Sequence, residues 1–416
     1  MKRVMASTAA VAFGAAGLQG ANVTGLTPQE ASKWWNVSAS LRGFYDDNNL
    51  YAEHGAIPSF GTEFHPGFAV NLPLERTVLS ASYRFTLAYY EARPRNNVDQ
   101  QHEFDAQLNH KFTPRYSANL IESFVSTSEP AVVDQGAGAQ TSFQRPADFS
   151  VIRNRVAIDL EARLAPTFGV ALGYQNTYYD YQNTGPGSLS ALLDRTEQLF
   201  HLDGQWFPAE HTKLFVGYQF GLADYTSDDT LDPNNLIEVS PDVRNSRSHY
   251  LYVGGERQFS QQLNGLASVG AQSADYYNEG TTDLGPYVNL SGTYAYLPAS
   301  TVKLEVKVSR YAADSALGTN GVTRDQLATT TYVSINHRIT PRLSGTILGQ
   351  YQHSIYNGGD LDAQADDYFA LNFGFDFKIR ENFFANLLYI WERRLSNRPE
   401  ASFVRNRIYT GIRATY

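Results

Sequence analysis

Two segments carry the same Arg-Asn-Arg triplet, Arg153-Asn154-Arg155 and Arg405-Asn406-Arg407, each within a run where polar and apolar residues alternate. Along an extended strand successive side chains point to opposite faces, so both arginines of a triplet share one face. That face also collects Asp159, Glu161 and Arg163 in the first run and Arg413 in the second. Arg84, Lys303, Glu305 and Lys307 hold the polar side of two further alternating runs. Rows of mixed charge can neutralise one another as cross-strand ion pairs. Facing each other across a polar space, they would instead set up a field that orients dipolar solutes.

Covalent chemistry finds no support in the spacing. His102-Glu103 lacks the second histidine of a helical zinc site. The stretch Gly265-Leu266-Ala267-Ser268-Val269-Gly270 lacks the glycine at 266 that a nucleophile elbow needs. Gly136-Ala137-Gly138 lacks the third glycine of a dinucleotide loop, and no phosphate loop occurs. The absence of cysteine removes disulfides, thiolate metal sites and thiol nucleophiles together. Asp46-Asp47-Asn48-Asn49 and Asp228-Asp229 with Asp232, Asn234 and Asn235 offer oxygens to calcium, but neither has EF-hand spacing. Asp and Asn also start turns by bonding their own backbone. The expectation is a protein that is not an enzyme, with no cofactor and no metal site.

The charged rows require long strands to carry them. In Val78 to Tyr90, Leu79, Ala81, Tyr83, Phe85, Leu87 and Tyr89 oppose Ser80, Ser82, Arg84 and Thr86. Val151 to Leu164, Thr301 to Tyr311 and Asp367 to Ile379 repeat the pattern, the last setting Phe369, Leu371, Phe373, Phe375 and Phe377 against Tyr368, Asn372, Asp376 and Lys378. A soluble sandwich alternates too, but runs of about 10 to 15 residues suit a tilted crossing of a bilayer. No stretch of about 18 apolar residues follows the N-terminus, which excludes helical membrane spans. Tight turns fall near residues 72–74, 113–115, 165–167, 207–209, 260–262, 297–299, 340–342 and 379–381. Longer polar loops alternate with them, near 49–62, 93–100, 127–147, 182–193, 226–244, 277–281, 313–325, 358–365 and 397–401. Eight hairpins with one strand before (Asn36 to Asp47) and one after (Ser402 to Tyr416) predict an all-β, transmembrane, antiparallel up-and-down barrel of 18 strands. Short turns on one rim and long loops on the other are the plan of a bacterial outer-membrane barrel.

The termini agree. Lys2 and Arg3 precede an apolar run from Val4 to Leu18, with Gly20 and Ala21 at a cleavable end, so residues 1–20 read as a signal peptide. Thr27-Pro28-Gln29-Glu30 has the form of a capping box with proline at the first helical position, which predicts one short helix in a periplasmic segment, 21–35, ahead of the barrel at 36–416. A net charge of -9 and the lack of any Lys/Arg run speak against nucleic acid. The final strand, Tyr409-Thr410-Gly411-Ile412-Arg413-Ala414-Thr415-Tyr416, resembles the C-terminal signal read by barrel-assembly machinery, with Tyr409, Gly411 and the terminal Tyr416 carrying the likeness.

The opening strand Val37-Ser38-Ala39-Ser40-Leu41-Arg42-Gly43-Phe44, the Tyr45-Asp46-Asp47-Asn48 that follows, and Phe64-His65-Pro66-Gly67-Phe68 resemble the family known as Putative beta-barrel porin 2. The resemblance covers most of residues 36–416. It implies an outer-membrane location, and some relatives are associated with exopolysaccharide or capsule export. Barrels of 16 to 18 strands are wide enough to leave an aqueous channel. The expectation is therefore a channel for small polar solutes, sugars among them, with Arg84, Arg153, Arg155, Asp159, Glu161, Arg163, Lys303, Glu305, Lys307, Arg405, Arg407 and Arg413 lining the pore. Tyr90, Tyr179, Tyr311, Tyr332 and Tyr409 share the inward face, where they would offer stacking surfaces to sugars. Loop 127–147, rich in Gly and Pro, is a candidate constriction. Alternatives are a polysaccharide-export barrel with a periplasmic export partner, and a closed structural or adhesive barrel. In each case the surroundings are outer-membrane lipid.

Overall fold

The computed structural model describes residues 33–93, 96–128, 150–234, 238–313, 317–318, 321–398 and 401–416. The segment 1–20 expected to be a signal peptide, the helix expected at 27–30 and nearly all of loop 127–147 lie outside the described residues. The strands are β1 (Trp35–Asp46), β2 (Ser59–Pro73), β3 (Thr77–Tyr90), β4 (Val98–Thr113), β5 (Tyr116–Thr127), β6 (Val151–Ala165) and β7 (Phe168–Tyr181). After a short helix α1 (Leu189–Leu193) come β8 (Arg195–Ala209), β9 (Thr212–Tyr225), β10 (Ser246–Gln258), β11 (Leu263–Tyr276), β12 (Thr281–Leu297) and β13 (Ser300–Ala312). A two-residue hairpin, β14 (Leu317–Gly318) and β15 (Gly321–Val322), sits in the next loop. The chain ends with β16 (Asp325–Arg338), β17 (Leu343–Asn357), β18 (Ala365–Arg380), β19 (Phe383–Ser396) and β20 (Phe403–Thr415).

Apart from the β14–β15 hairpin, every strand pairs antiparallel with its sequence neighbours, and β1 pairs with β20 to close an 18-stranded ring. Closure leaves no free edge, so the backbone N–H and C=O groups of the wall are paired between neighbouring strands almost throughout, the condition for β-structure to survive in lipid. The register matches the alternation read from the sequence. Leu41, Phe64, Phe104, Ile158, Leu202 and Phe373 are all exposed on the outer face, while their strand neighbours of opposite parity point inward. Tyrosine–histidine pairs punctuate that exterior: Tyr83 Oη lies 2.9 Å from His102 Nδ1 and Tyr218 Oη 2.7 Å from His249 Nδ1. Aromatic, half-polar groups of this kind favour the zone between hydrocarbon and water.

Two prolines mark local departures. The turn expected at Phe207-Pro208-Ala209 lies farther on, because β8 runs to Ala209 and pairs it with Thr212. Pro208 falls where the register shifts between Trp206 and Ala209, and such an irregularity tolerates a residue with no N–H to donate. Pro286 sits in β12 where its ladder with β13 has stopped at Val288–Val308. There the side chain of Gln272 stands in for the missing rung: its Oε1 accepts from the Arg310 backbone N at 3.1 Å. The Arg310 guanidinium donates in turn to the Leu284 carbonyl at 2.7 Å.

The closing strand explains its own sequence. Tyr416 exchanges backbone hydrogen bonds with Val37 at 2.8 and 3.2 Å, finishing the ring. Its side chain is exposed and lies against Trp35, with ring centroids 5.6 Å apart. Gly411 pairs with Arg42, and a Cβ there would stand 2.3 Å from the Leu41 carbonyl oxygen and 2.5 Å from Arg42 Cγ. Glycine is therefore required by close approach at the seam. Tyr409 points inward and packs on Phe44 and under Arg42.

Candidate functional site: the barrel lumen

Strand parity places all twelve expected pore-lining charges on the inner face. Among the described residues, six of them pair with a lysine, arginine or carboxylate of opposite charge. Arg84 Nε donates to Glu103 at 2.8 Å, and Lys303 and Lys307 flank Glu305 at 3.1 and 2.7 Å. Arg405 and Asp46 are both fully buried and paired across the β1–β20 seam, and Arg407 binds Glu392 at 2.9 Å. Arg155 donates to Gln175 at 2.7 Å, with Arg153 two residues away on the same face. Arg163 lies at the turn rim, where its guanidinium donates to the Pro166 carbonyl and covers Phe207. Arg413 covers Phe384. Half of these charges are thus neutralised locally, Lys303, Glu305 and Lys307 within β13 and Arg84, Arg405 and Arg407 across strands.

One stretch departs from that pattern. On β6, β8, β9, β10 and β12 a recess in the wall is lined by Asp159, Glu161, His201, Asp203, Lys213, Phe215, Tyr252 and Tyr287, among others. Tyr252 donates to Asp203 Oδ1 at 2.5 Å although their strands are not adjacent. It reaches over Gly217, which pairs with both residues, and a Cβ at 217 would lie 2.2 Å from the tyrosine ring. The same device seats His201, whose ring occupies the place of a Cβ on Gly173 and brings Nε2 within 3.5 Å of Asp159. Gly217→Val is therefore expected to displace Tyr252 and free Asp203 without breaking the ladder. Chemical shifts of the Tyr252 ring in a selectively labelled sample would move, and an unchanged ring environment would refute the role given to Gly217.

The mouth at the long-loop rim is built by elements the sequence did not single out. Helix α1 has all five residues buried and packs with inward Tyr179 and Tyr181, with Leu231 of the β9–β10 loop, and with Val322 of the β13–β16 loop. Arg244, fully buried, donates to the Leu192 carbonyl, and to the Ala313 carbonyl at 3.3 Å. Its guanidinium lies 4.3 Å from the Tyr225 ring. One side chain thereby ties three loops together. Burial pushes the Asp194 carboxyl, just after α1, up to about 6 from its ordinary 3.8, despite hydrogen bonds from Ser190 Oγ and Tyr181 N, each 2.6 Å. The β1–β2 loop also turns inward, placing Tyr51 against Phe403 and under Arg405.

The remaining candidates resolve into structural roles. Tyr90, Tyr179, Tyr332 and Tyr409 are buried rather than presented to the lumen. Tyr90 lies under Arg93 and Tyr179 under Arg195, at 3.5 and 4.0 Å. In the first acidic cluster Asp46 serves Arg405, and Asp47 accepts from the Asn406 backbone and side chain, each at 2.6 Å. In the second, Asp229 accepts from Gly185 N and Asp232 from Asn234 N. Ser268 lies on β11 among the residues of the recess.

A closed antiparallel ring of 18 strands, apolar outside and charged within, defines a porin-type barrel of the bacterial outer membrane. The chain belongs to the family described as Putative beta-barrel porin 2, whose model matches residues 35–416. No curated protein matches it. Among solved structures it is similar to the outer membrane protein opdK from Pseudomonas aeruginosa, at 11% identity and a TM-score of 0.42, covering 92% of this chain and 99% of that one. OccAB4 from Acinetobacter baumannii gives 11% and 0.43 with the same coverage. The siderophore receptor PirA from Acinetobacter baumannii gives 11% and 0.40, covering 91% of this chain and 80% of that one. At these identities and scores no property of theirs transfers.

Proposed function

We propose that the barrel is a passive diffusion channel for small polar solutes, with its size limit set by the loops docked inside the long-loop rim. The observation that carries this reading is the combination of a polar, charged inner wall with α1 folded against inward Tyr179 and Tyr181. A wall of that kind favours hydrated solutes over apolar ones, and a loop docked inside the rim narrows the bore. Export of a polysaccharide needs a wide bore, which the docked α1 works against. Purified, refolded protein in a planar bilayer is expected to give stable open channels. Neutral polymers of graded size should reduce the current only below a small cut-off. A barrel that inserts and stays silent would overturn the reading.

A further inference from the structure

We propose that the recess on the β6–β12 side of the lumen is a binding station for positively charged, amine-bearing solutes. This inference rests on the channel reading and adds a substrate class to it. Four carboxylates, those of Asp159, Glu161, Asp203 and Glu256, share this wall with one ammonium, Lys213, one imidazole, His201, and, four positions along β6 from Asp159, one guanidinium, Arg155. Lys213 is engaged by Glu256 at 3.0 Å. Elsewhere on the inner wall, Glu103, Glu305, Glu392 and Asp46 each face an arginine or lysine. With its carboxylates ionised the recess therefore carries more negative than positive charge, and a low-dielectric wall concentrates that field on the lumen side.

The hydrogen-bonding balance points the same way. Asp159 Oδ2 and Glu161 Oε1 are shielded from solvent and take no hydrogen bond from the described residues. Asp203 already receives the Tyr252 hydroxyl, and Gln219 supports that hydroxyl at 3.3 Å. Asn119 and Gln205 already bond the same two carboxylates, so the acceptors left over are those two oxygens, and an ammonium supplies three donors and no acceptor. Half-buried Tyr287 and Phe215 add ring faces beside Tyr252, with centroids 5.4 and 6.1 Å from it. Aromatic faces near carboxylates attract organic cations more than they attract anions. A neutral sugar would find acceptors here but gain nothing from the charge.

Glucosamine, glucose and glucuronate separate the classes, because they share a ring and differ in charge. In planar bilayers the full-length mature protein is expected to be cation-selective in a salt gradient. Glucosamine should interrupt the current at concentrations at least tenfold below those at which glucose does, and glucuronate should not. The double variant Asp159→Asn/Asp203→Asn should lose that preference, whereas Asp367→Asn, on the outer face of β18 beside His353 and Tyr351, should keep it. Equal block by glucosamine and glucose, or a preference that survives the double variant, would overturn the proposal while leaving the channel intact. If the protein does not conduct, the channel reading fails instead. Saturation-transfer NMR of the three sugars with detergent-solubilised protein then decides the recess separately: transfer to glucosamine lost in the double variant supports it, and equal transfer to glucose refutes it. A heat-modifiable band on a gel confirms that each variant has folded.

Discussion

Asp46→Ala is expected to lower the unfolding free energy of the barrel by roughly 3–5 kcal/mol, the usual loss when one partner of a buried ion pair is removed. Asp46 and Arg405 are both fully shielded from solvent. Arg405 Nε reaches both carboxylate oxygens at 3.1 Å, and Asp46 also accepts from Asn48 N at 3.0 Å. The network extends through Glu392 to Arg407 at 2.9 Å and to the Tyr368 hydroxyl at 3.1 Å. Strands β18, β19, β20 and β1 are thereby joined across the one pairing that the chain makes between its ends. Without Asp46 the Arg405 guanidinium stays under the Tyr51 ring and loses its closest carboxylate, Glu392 standing farther off at 3.8 Å. Removing both charges, in Asp46→Ala/Arg405→Met, should recover a large part of the loss, because no buried charge is left uncompensated. Urea titration in detergent micelles, followed by tryptophan fluorescence, measures all three proteins. A single variant as stable as the parent would mean that the pair contributes nothing to closure.

The strands and their two faces were legible because the period of alternation is a local property. Leu79 through Tyr89 announces an apolar face whatever the rest of the chain does. Hairpin turns were legible where proline or a short polar break ended the alternation. The turn after β8 was misplaced because Pro208 lies at a register shift within the strand, which local composition cannot distinguish from a turn. Which charge meets which was not legible. Asp46 and Arg405 are 359 positions apart, and only ring closure makes them neighbours. Gly217 looked like any strand glycine, since its meaning comes from Tyr252 on the next strand and Asp203 on the previous one. Helix α1 has five residues, too few to show a helical period, and its burial depends on two other loops. The Gly- and Pro-rich loop 127–147 drew attention by composition, whereas loop 182–194, one of those that fold inward among the described residues, is marked mainly by the run Leu189-Ser190-Ala191-Leu192-Leu193.

That loop sets up the other large effect. Arg244→Ala removes a charged donor from two backbone carbonyls of separate loops, and each such bond contributes roughly 1.5–3 kcal/mol. Losing them should shift the ratio of docked to released loops by at least tenfold, since about 1.4 kcal/mol corresponds to a factor of ten. The expected result is larger mean conductance, more frequent current fluctuations and a higher polymer cut-off than in the parent. Acidity should act on the same equilibrium through Asp194. Burial, opposed by Ser190 and Tyr181 and assisted by the charge of Asp180, raises its carboxyl to about 6 when the loop is docked, while released into water it has its ordinary 3.8. A group whose value is raised in the docked state favours docking fully below the ordinary value and stops doing so as the pH rises through the docked one. Docking is thus strongest in acid, and conductance should climb as the pH is raised from 4 towards 7, with most of the change complete just above about 6. Asp194→Asn, which cannot ionise, should flatten that climb and hold the low-pH conductance throughout. If Arg244→Ala leaves both conductance and cut-off unchanged, the three docked loops do not define the bore, and the constriction must lie deeper, on the charged wall itself.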